Sequence, residues 1–286
     1  MQFGLHALGI GAGARPDVIQ SVSAAAEAAG FARLWCGEHV VMVDRPRSRY
    51  PYSGDGRIAV PADADWLDPL LALTFAAAAT VRIGLATGVL LLPEHNPVIA
   101  AKQLATLDVL SGGRLTAGVG IGWSADEFAA LRIPFERRGQ RAVEYVTAMR
   151  ALWALDVASF AGEFAAFEDV RLYPKPHGGR QIPVVFGGNS DAALRRVADQ
   201  GDGWYGFNLA AAQVGERVGV LSGLCREKGR DPRSLTIAVA LTDYDPSMRA
   251  ELARVGVTEI VRVAAPPESA ADAAAWLADL AADSGI

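Results

Sequence analysis

Strand-like and helix-like segments alternate along nearly the whole chain, and few folds accept that pattern. Residues 2–7 read as a first strand. Pro16 then opens an amphipathic run with Val18, Ile19, Val22, Ala26 and Ala29 on one side, ended by Gly30 in the helix C-terminal position. Further strands are predicted at 31–36, 82–89, 115–119, 183–186, 204–207, 235–241 and 259–263. Asp68-Pro69 and Asn96-Pro97 supply caps and first-turn prolines for the helices on either side of strand three. Two helical pieces, 125–131 and 138–155, follow strand four, and 159–176 carries the alternation of a small hairpin. Short apolar runs of this kind suit strands buried on both faces of a parallel sheet. Eight such βα units favour a single closed (β/α)8 TIM barrel over an open doubly wound sheet. No linker-like change of composition divides the chain, so residues 1–286 are expected to form one domain.

One connection is too long to be ordinary. Asp44 to Asp65, after strand two, holds Arg45, Arg47, Arg49 and three prolines, and is expected to be a functional loop over one end of the barrel. Composition narrows the partners. Hydrophobic residues make up 51% and charged residues 21%, enough for a sizeable core. A formal net charge of -5 argues against nucleic acid as a partner. Cys36 and Cys225 cannot build a disulfide framework and suit a reducing, cytoplasmic setting. The first strand begins at once, leaving no room for a signal peptide, and the most apolar stretch, Ile83 to Pro93, is too short to span a bilayer.

In such a barrel, chemistry sits where strands end and loops begin. Glu38-His39 follows strand two; a histidine there can move a proton near neutral pH, and the adjacent carboxylate can tune or orient it, although a plain loop hydrogen bond explains it as well. Thr87-Gly88-Val89 ends strand three, where glycine permits a bulge or a close approach to a ligand, or simply a bend. Gly118-Val119-Gly120-Ile121-Gly122-Trp123 ends strand four, and its alternating glycines either clear space for a flat ring or make a tight turn. Gly187-Gly188-Asn189-Ser190 joins strand five to a helix, offering backbone N–H groups to an anion or serving as an ordinary cap. His6, His39, His95 and His177 have no paired spacing for a metal, and no G-x-S-x-G elbow marks a serine hydrolase.

From residue 2 to about residue 263 these segments resemble the bacterial luciferase-like monooxygenase family, in its coenzyme F420 (deazaflavin)-dependent branch. The resemblance is carried by Glu38-His39, by Thr87 to Pro93 with Asn96-Pro97, by Ala101 to Asp108, by Ser111 to Leu115 and by Gly118 to Trp123. Glu136 to Gly139, Tyr173 to Pro176, Ile182 to Gly188 and Gly201 to Trp204 complete it. It implies an oxidoreductase, commonly a homodimer, whose cofactor ring lies in the barrel mouth against strand three, beside a non-prolyl cis peptide that maps to Gly88-Val89. It further implies a cofactor phosphate at Gly187 to Ser190 and His39 as the proton donor or acceptor beside hydride transfer at the deazaflavin C5. Thr87, Gly120, Gly122 and Trp123 complete the expected cofactor site. Two departures bear on the reaction. Trp123 stands where a sugar-phosphate dehydrogenase subgroup has a glutamate assisting the histidine, and no lysine follows Trp204. Strand seven also runs almost directly into Asp245-Pro246, whereas luciferases carry a long lid there. An FMN-dependent monooxygenase and a non-catalytic flavin-binding barrel are the alternatives.

Overall fold

The computed structural model describes residues 1–286. Its parallel strands are β1 (Gln2–His6), β2 (Arg33–Cys36), β3 (Gly84–Thr87), β4 (Leu90–Leu91), β5 (Leu115–Gly120), β8 (Val184–Gly187), β9 (Gly203–Phe207), β10 (Thr236–Leu241) and β11 (Glu259–Val263). A short antiparallel hairpin, β6 (Ala158–Ala161) with β7 (Ala166–Val170), lies apart where alternation predicted one. The sheet runs β3-β2-β1-β11-β10-β9-β8-β5-β4, and β3 also pairs with β5, so it closes on itself. With β3 and β4 as two parts of the third strand, this is the expected eight-stranded parallel barrel. Around it pack α1 (Pro16–Ala28), α2 (Pro69–Ala78), α3 (Pro97–Leu110), α4 (Ala125–Leu131), α5 (Arg138–Ala154), α6 (Asp191–Gln200), α7 (Ala211–Glu227), α8 (Met248–Arg254) and α9 (Ala273–Ser284).

The helix boundaries follow from local chemistry. Asp68 accepts from Leu70 N–H (2.8 Å) and Leu71 N–H (2.9 Å), and Asn96 from Val98 N–H (3.0 Å) and Ile99 N–H (3.2 Å), each ahead of a proline that has no N–H to satisfy. The main departure from the sequence expectation is in strand three. Instead of one run over 82–89, it stops at Thr87 and resumes at Leu90, interrupted by a cis peptide between Gly88 and Val89. That is the position the family resemblance implied. The last helix also starts later than 268, because Ala270–Asp272 forms a 3-10 turn first.

The core has two parts. Most of it lies between barrel and helices, while Trp35, Ala86, Val185, Tyr205, Ala238, Ala240 and Val261 fill the barrel itself. Near the strand N-terminal ends the interior holds a carboxyl group: Glu259 accepts from Trp35 Nε1–H (2.7 Å) and pairs with Arg33. Burial pushes its pKa up, opposed by Arg33 and by the indole bond. Closure also demands glycine. A Cβ on Gly118 would lie 1.9 Å from the Thr87 carbonyl oxygen, so only a bare backbone fits there. Thr87 in turn donates its hydroxyl to the Gly118 carbonyl (2.7 Å), locking β3 to β5 at the seam. Gly118→Ala is therefore expected to cost about 3 kcal/mol by overpacking, seen as a lower urea midpoint at unchanged slope; an unshifted midpoint would refute the seam's tightness.

Candidate active site

His39 lies just beyond β2 at the C-terminal rim of the barrel. Its Nδ1 is 2.8 Å from Glu127 Oε2, and both side chains are almost fully buried, at 7% and 1% exposure. Oε1 of Glu127 accepts from the N–H groups of Val40 (2.7 Å) and Val41 (3.3 Å). A carboxylate only accepts and an indole N–H only donates. Nδ1 of His39 thus carries hydrogen toward Glu127, and Nε2 is the acceptor facing Trp123 Nε1–H at a long 3.4 Å. Trp66 and Trp123 meet the imidazole edge to face, with ring centroids 4.8 and 5.7 Å away. The ring is held by one strong bond and two aromatic walls, and the Nε2 side is the loosely engaged one.

The adjacent carboxylate expected to orient His39 does not reach it. Successive side chains of an extended segment point to opposite sides. Glu38 accordingly turns away, accepting from Leu91 N–H (2.5 Å) and from His95 Nε2 (2.9 Å). The orienting role passes to Glu127, in the first turn of α4. Ser124-x-x-Glu127 reads as a capping box, and Ser124 does cap the helix by accepting from Glu127 N–H (3.2 Å). The glutamate side chain leaves the box for His39. Trp123 is followed four residues later by Glu127, whose carboxylate reaches His39.

A third carboxyl group lies between these two pairs. Glu94 is buried, and neither of its oxygens has a hydrogen-bond partner. Burial, then the charges of Glu127 and Glu38, push its pKa up to about 9, so it is neutral at pH 7. Burial opposes a proton on His95, but the bond and charge of Glu38, with Asp68 beyond, outweigh it and raise its pKa. His6, at the end of β1, is half-buried with Nδ1 against Tyr205 Oη (3.0 Å), and desolvation lowers its pKa to about 4.

The rim glycines behave differently from the expectation of a cleared ledge. A Cβ on Gly120 would lie 2.4 Å from Val89 Cγ2, and one on Gly187 2.9 Å from Val89 Cγ1. One on Gly122 (φ +74°) would lie 2.5 Å from Phe128 and 3.0 Å from Glu94 Oε1. Protein side chains already fill the space beside these glycines: they admit Val89, set by the cis peptide, and the helix α4 packing. Gly88 lies against Tyr205 Oη and Trp35 on the barrel floor. Thr87 is wholly buried in the seam. Asn189 spends its side chain on the end of β9, donating to the Phe207 carbonyl (2.7 Å) and accepting from Phe207 N–H (3.1 Å). Ser190 caps α6 by accepting from Ala193 N–H (3.3 Å). What remains for an anion is backbone: the N–H groups of Asn189 and Ser190 have no protein partner, beside Gly188 at φ +112°.

The long loop after β2 crosses the mouth. Tyr50 meets Trp123 edge to face (5.3 Å), Tyr52 meets Phe207 (5.3 Å), and the two tyrosines touch each other (5.4 Å). Asp126 anchors the loop by accepting from the N–H groups of Arg47 (3.0 Å) and Ser48 (2.8 Å). Between loop and rim lies a cleft of about 670 Å³, whose rim side is His39, Trp123, Ser124 and Glu127. Its volume is in the range of small-molecule sites. Gly88, Val89 and the β8 loop do not line it. The connection after β10 is short, only residues 242–247 before α8. No group of His, Cys, Asp and Glu side chains has the geometry to hold a metal, and no helix is long and apolar enough to cross a membrane.

A closed eight-stranded parallel barrel with surrounding helices is consistent with a luciferase-like TIM barrel. The profile of the luciferase-like monooxygenase family matches residues 1–244, and the chain belongs to that family. It is 36% identical over 258 residues, 90% of each chain, to the uncharacterized protein Rv0953c of Mycobacterium tuberculosis. It is 40% identical over 116 residues, 40% of this chain and 32% of the other, to the FMNH(2)-dependent dimethylsulfone monooxygenase of Pseudomonas putida. Its fold matches an F420-dependent secondary alcohol dehydrogenase in complex with an F420-acetone adduct, with a TM-score of 0.77 over 99% of this chain and 97% of the other at 18% identity.

The carboxyl cluster has a measurable consequence. Between 4.5, the ordinary value, and about 9 the folded protein keeps the Glu94 proton that the unfolded chain releases. Its contribution to stability is thus fully present below pH 4.5 and lost as pH rises toward 9. Glu94→Gln, neutral at every pH, should gain stability over the parent as pH rises through that window. Melting temperatures across the range check it; parallel curves for the two proteins would exclude a buried neutral Glu94.

Proposed function

We propose that the chain is a coenzyme F420-dependent oxidoreductase acting on a small organic substrate. The observation that carries the reading is His39: Nδ1 is fixed by Glu127, Nε2 keeps only a long contact to Trp123, and both residues line the mouth cleft. The size of the cleft, with Trp123 in its lining, fits a flat tricyclic ring. When bound, the deazaflavin supplies hydride transfer at its C5. The chain's own work is at the proton: His39 Nε2 gives or takes the proton that accompanies reaction at the substrate, and Glu127 holds the tautomer that leaves Nε2 available. Trp123 gives up its long indole contact to the substrate oxygen. Trp123, with Tyr50 and Tyr52 of the loop that crosses the mouth, would hold the ring. The short β10–α8 connection supports hydride transfer over an oxygen reaction that needs a long water-excluding lid. Glu38 supports the rim through Leu91 and His95.

An FMN-dependent monooxygenase on the same barrel is the second reading, supported by the segment shared with the dimethylsulfone enzyme. Titrating the purified protein with oxidised F420 and with FMN separates the two: tight F420 and weak FMN binding is expected, and the reverse overturns the assignment. His39→Asn should keep cofactor affinity within about twofold while turnover falls about 10²–10⁴-fold. Glu127→Gln should lower turnover and change its pH profile, with Glu38→Gln milder; a barrel that only stores its cofactor would bind it and have no turnover to lose.

We also propose a homodimer. Leu71 and Phe75 on α2, Val81 after it, and Ile99 and Leu110 on the neighbouring α3 are all exposed apolar residues. Leu71→Glu with Leu110→Glu should convert a dimer to a monomer in light scattering; a monomeric parent ends the idea.

A further inference from the structure

Four arginines of the long loop line the mouth cleft, and they are not equivalent. Arg47 pairs with Asp126 (3.3 Å), and Arg45 reaches Asp44 (3.7 Å). Arg49 and Arg57 make no ion pair, and both are exposed. Arg49 donates a single bond, to the Asp55 carbonyl (3.1 Å), and the Arg57 guanidinium donates none to protein. The acids of the same cleft are spent elsewhere. Glu127 holds His39 and the amides of Val40 and Val41. Asp55 accepts from the Arg57 N–H (3.0 Å), and its pKa is lowered first by that bond and only last by the Arg57 charge. Two positive charges are therefore left over in the cleft that also holds the proton site.

The backbone brings the two together. Tyr50 N–H donates to the Gly56 carbonyl (2.8 Å), closing a turn that the chain enters at Arg49 and leaves at Arg57. Inside it, Gly56 N–H reaches the Ser53 carbonyl (3.3 Å), and the Ser53 hydroxyl donates to the Arg57 carbonyl (2.7 Å). Gly56 has φ +77°, and a Cβ there would lie 2.6 Å from Arg49 Nε, so both the turn and the guanidinium folded over it need glycine. The neck of the turn is tied to the barrel rim. Asp126 accepts the N–H groups of Arg47 and Ser48, Ser48 Oγ accepts from Ala125 N–H (2.9 Å), and Tyr50 packs on Trp123. Trp123 in turn meets His39. Two aromatic rings thus link the arginine pair to the proton site.

We propose that Arg49 and Arg57 bind a carboxylate at one end of the substrate, whose alcohol or carbonyl group lies at His39. This rests on the reading of His39 as the proton site and names the substrate class: a small organic acid, not a neutral alcohol or ketone. A guanidinium presents a planar fork of N–H donors that matches a carboxylate, and such charge-assisted bonds are stronger than neutral ones. Across an open mouth the recognition weakens with salt. Asn189 and Ser190, with their free N–H groups, do not line this cleft, so an anion held there leaves the two arginines to the substrate.

The test titrates the protein, without cofactor, with matched probes by calorimetry or tryptophan fluorescence: 4-oxopentanoate against 2-pentanone, and benzoate against benzamide. The parent should bind each acid at least tenfold more tightly than its neutral counterpart, with the gap narrowing as salt rises. Arg49→Gln and Arg57→Gln should each weaken the acids at least fivefold and change the neutral probes less than twofold, and Arg57→Lys should recover part of the loss. Arg45→Gln removes a charge of the same sign that is already paired, and should change the acids less than twofold. A parent with no preference for the acids, binding neither member of a pair included, overturns the inference, as does an equal loss in Arg45→Gln and Arg57→Gln. Failure of the cofactor reading is read separately, as a parent that does not bind F420, and leaves the acid preference to be judged by itself. If Arg49→Gln and Arg57→Gln weaken F420 and spare the acids, the arginines serve the cofactor and the substrate class is overturned.

Discussion

The Glu127 carboxylate joins three parts of the molecule that are far apart in sequence. One oxygen holds His39 after β2; the other takes two successive N–H groups at the start of the long loop; and the residue itself belongs to the first turn of α4, after β5. Its bonds run between elements 86 to 88 residues apart, so they exist only once the barrel has closed. Closure in turn depends on the β3–β5 seam, where Thr87 and the bare backbone of Gly118 meet. His39 cannot turn without breaking a nearly dry hydrogen bond and leaving Glu127 Oε2 unpaired.

Three glutamates at one rim would repel one another if all were bare. Each of the outer two is matched: Glu127 by His39 and two amides, Glu38 by His95 and the Leu91 amide. The middle one, Glu94, has no donor and keeps its proton. This division makes the rim compatible with burial, and it leaves the His39 pair in a setting where hydrogen bonds are strong because water is scarce. Arginines are handled in the opposite way on the mouth loop. There Arg45 and Arg47 are matched by Asp44 and Asp126 while Arg49 and Arg57 are left with charge to spare.

Much of this was legible along the chain. Proline after Asp68 and Asn96, glycine at 30, and short apolar runs at regular intervals placed the helices and strands, because caps and periodicity are local. The family motifs located His39 and the Gly88-Val89 peptide. What misled was adjacency: Glu38 sits next to His39 in sequence, yet the extended backbone sends the two side chains to different partners. The glycine at 120 was open to reading as a ligand ledge, but Val89 fills the space beside it, as it does beside Gly187. Glu127 carried a signal, the Ser124-x-x-Glu127 spacing, that spoke only of a helix start.

Sequence alone determined the alternation of eight βα units, the positions of the rim residues and the membership of the luciferase-like family, since each rests on patterns a few residues long or on motif order. Tertiary structure decided the pairings: Glu127 with His39, Glu38 with His95, Val89 against two distant glycines, and Tyr50 against Trp123. Those depend on which strand ends become neighbours when the sheet closes and on which way each side chain leaves the backbone. Both are properties of the closed barrel, and no stretch of the chain carries them by itself.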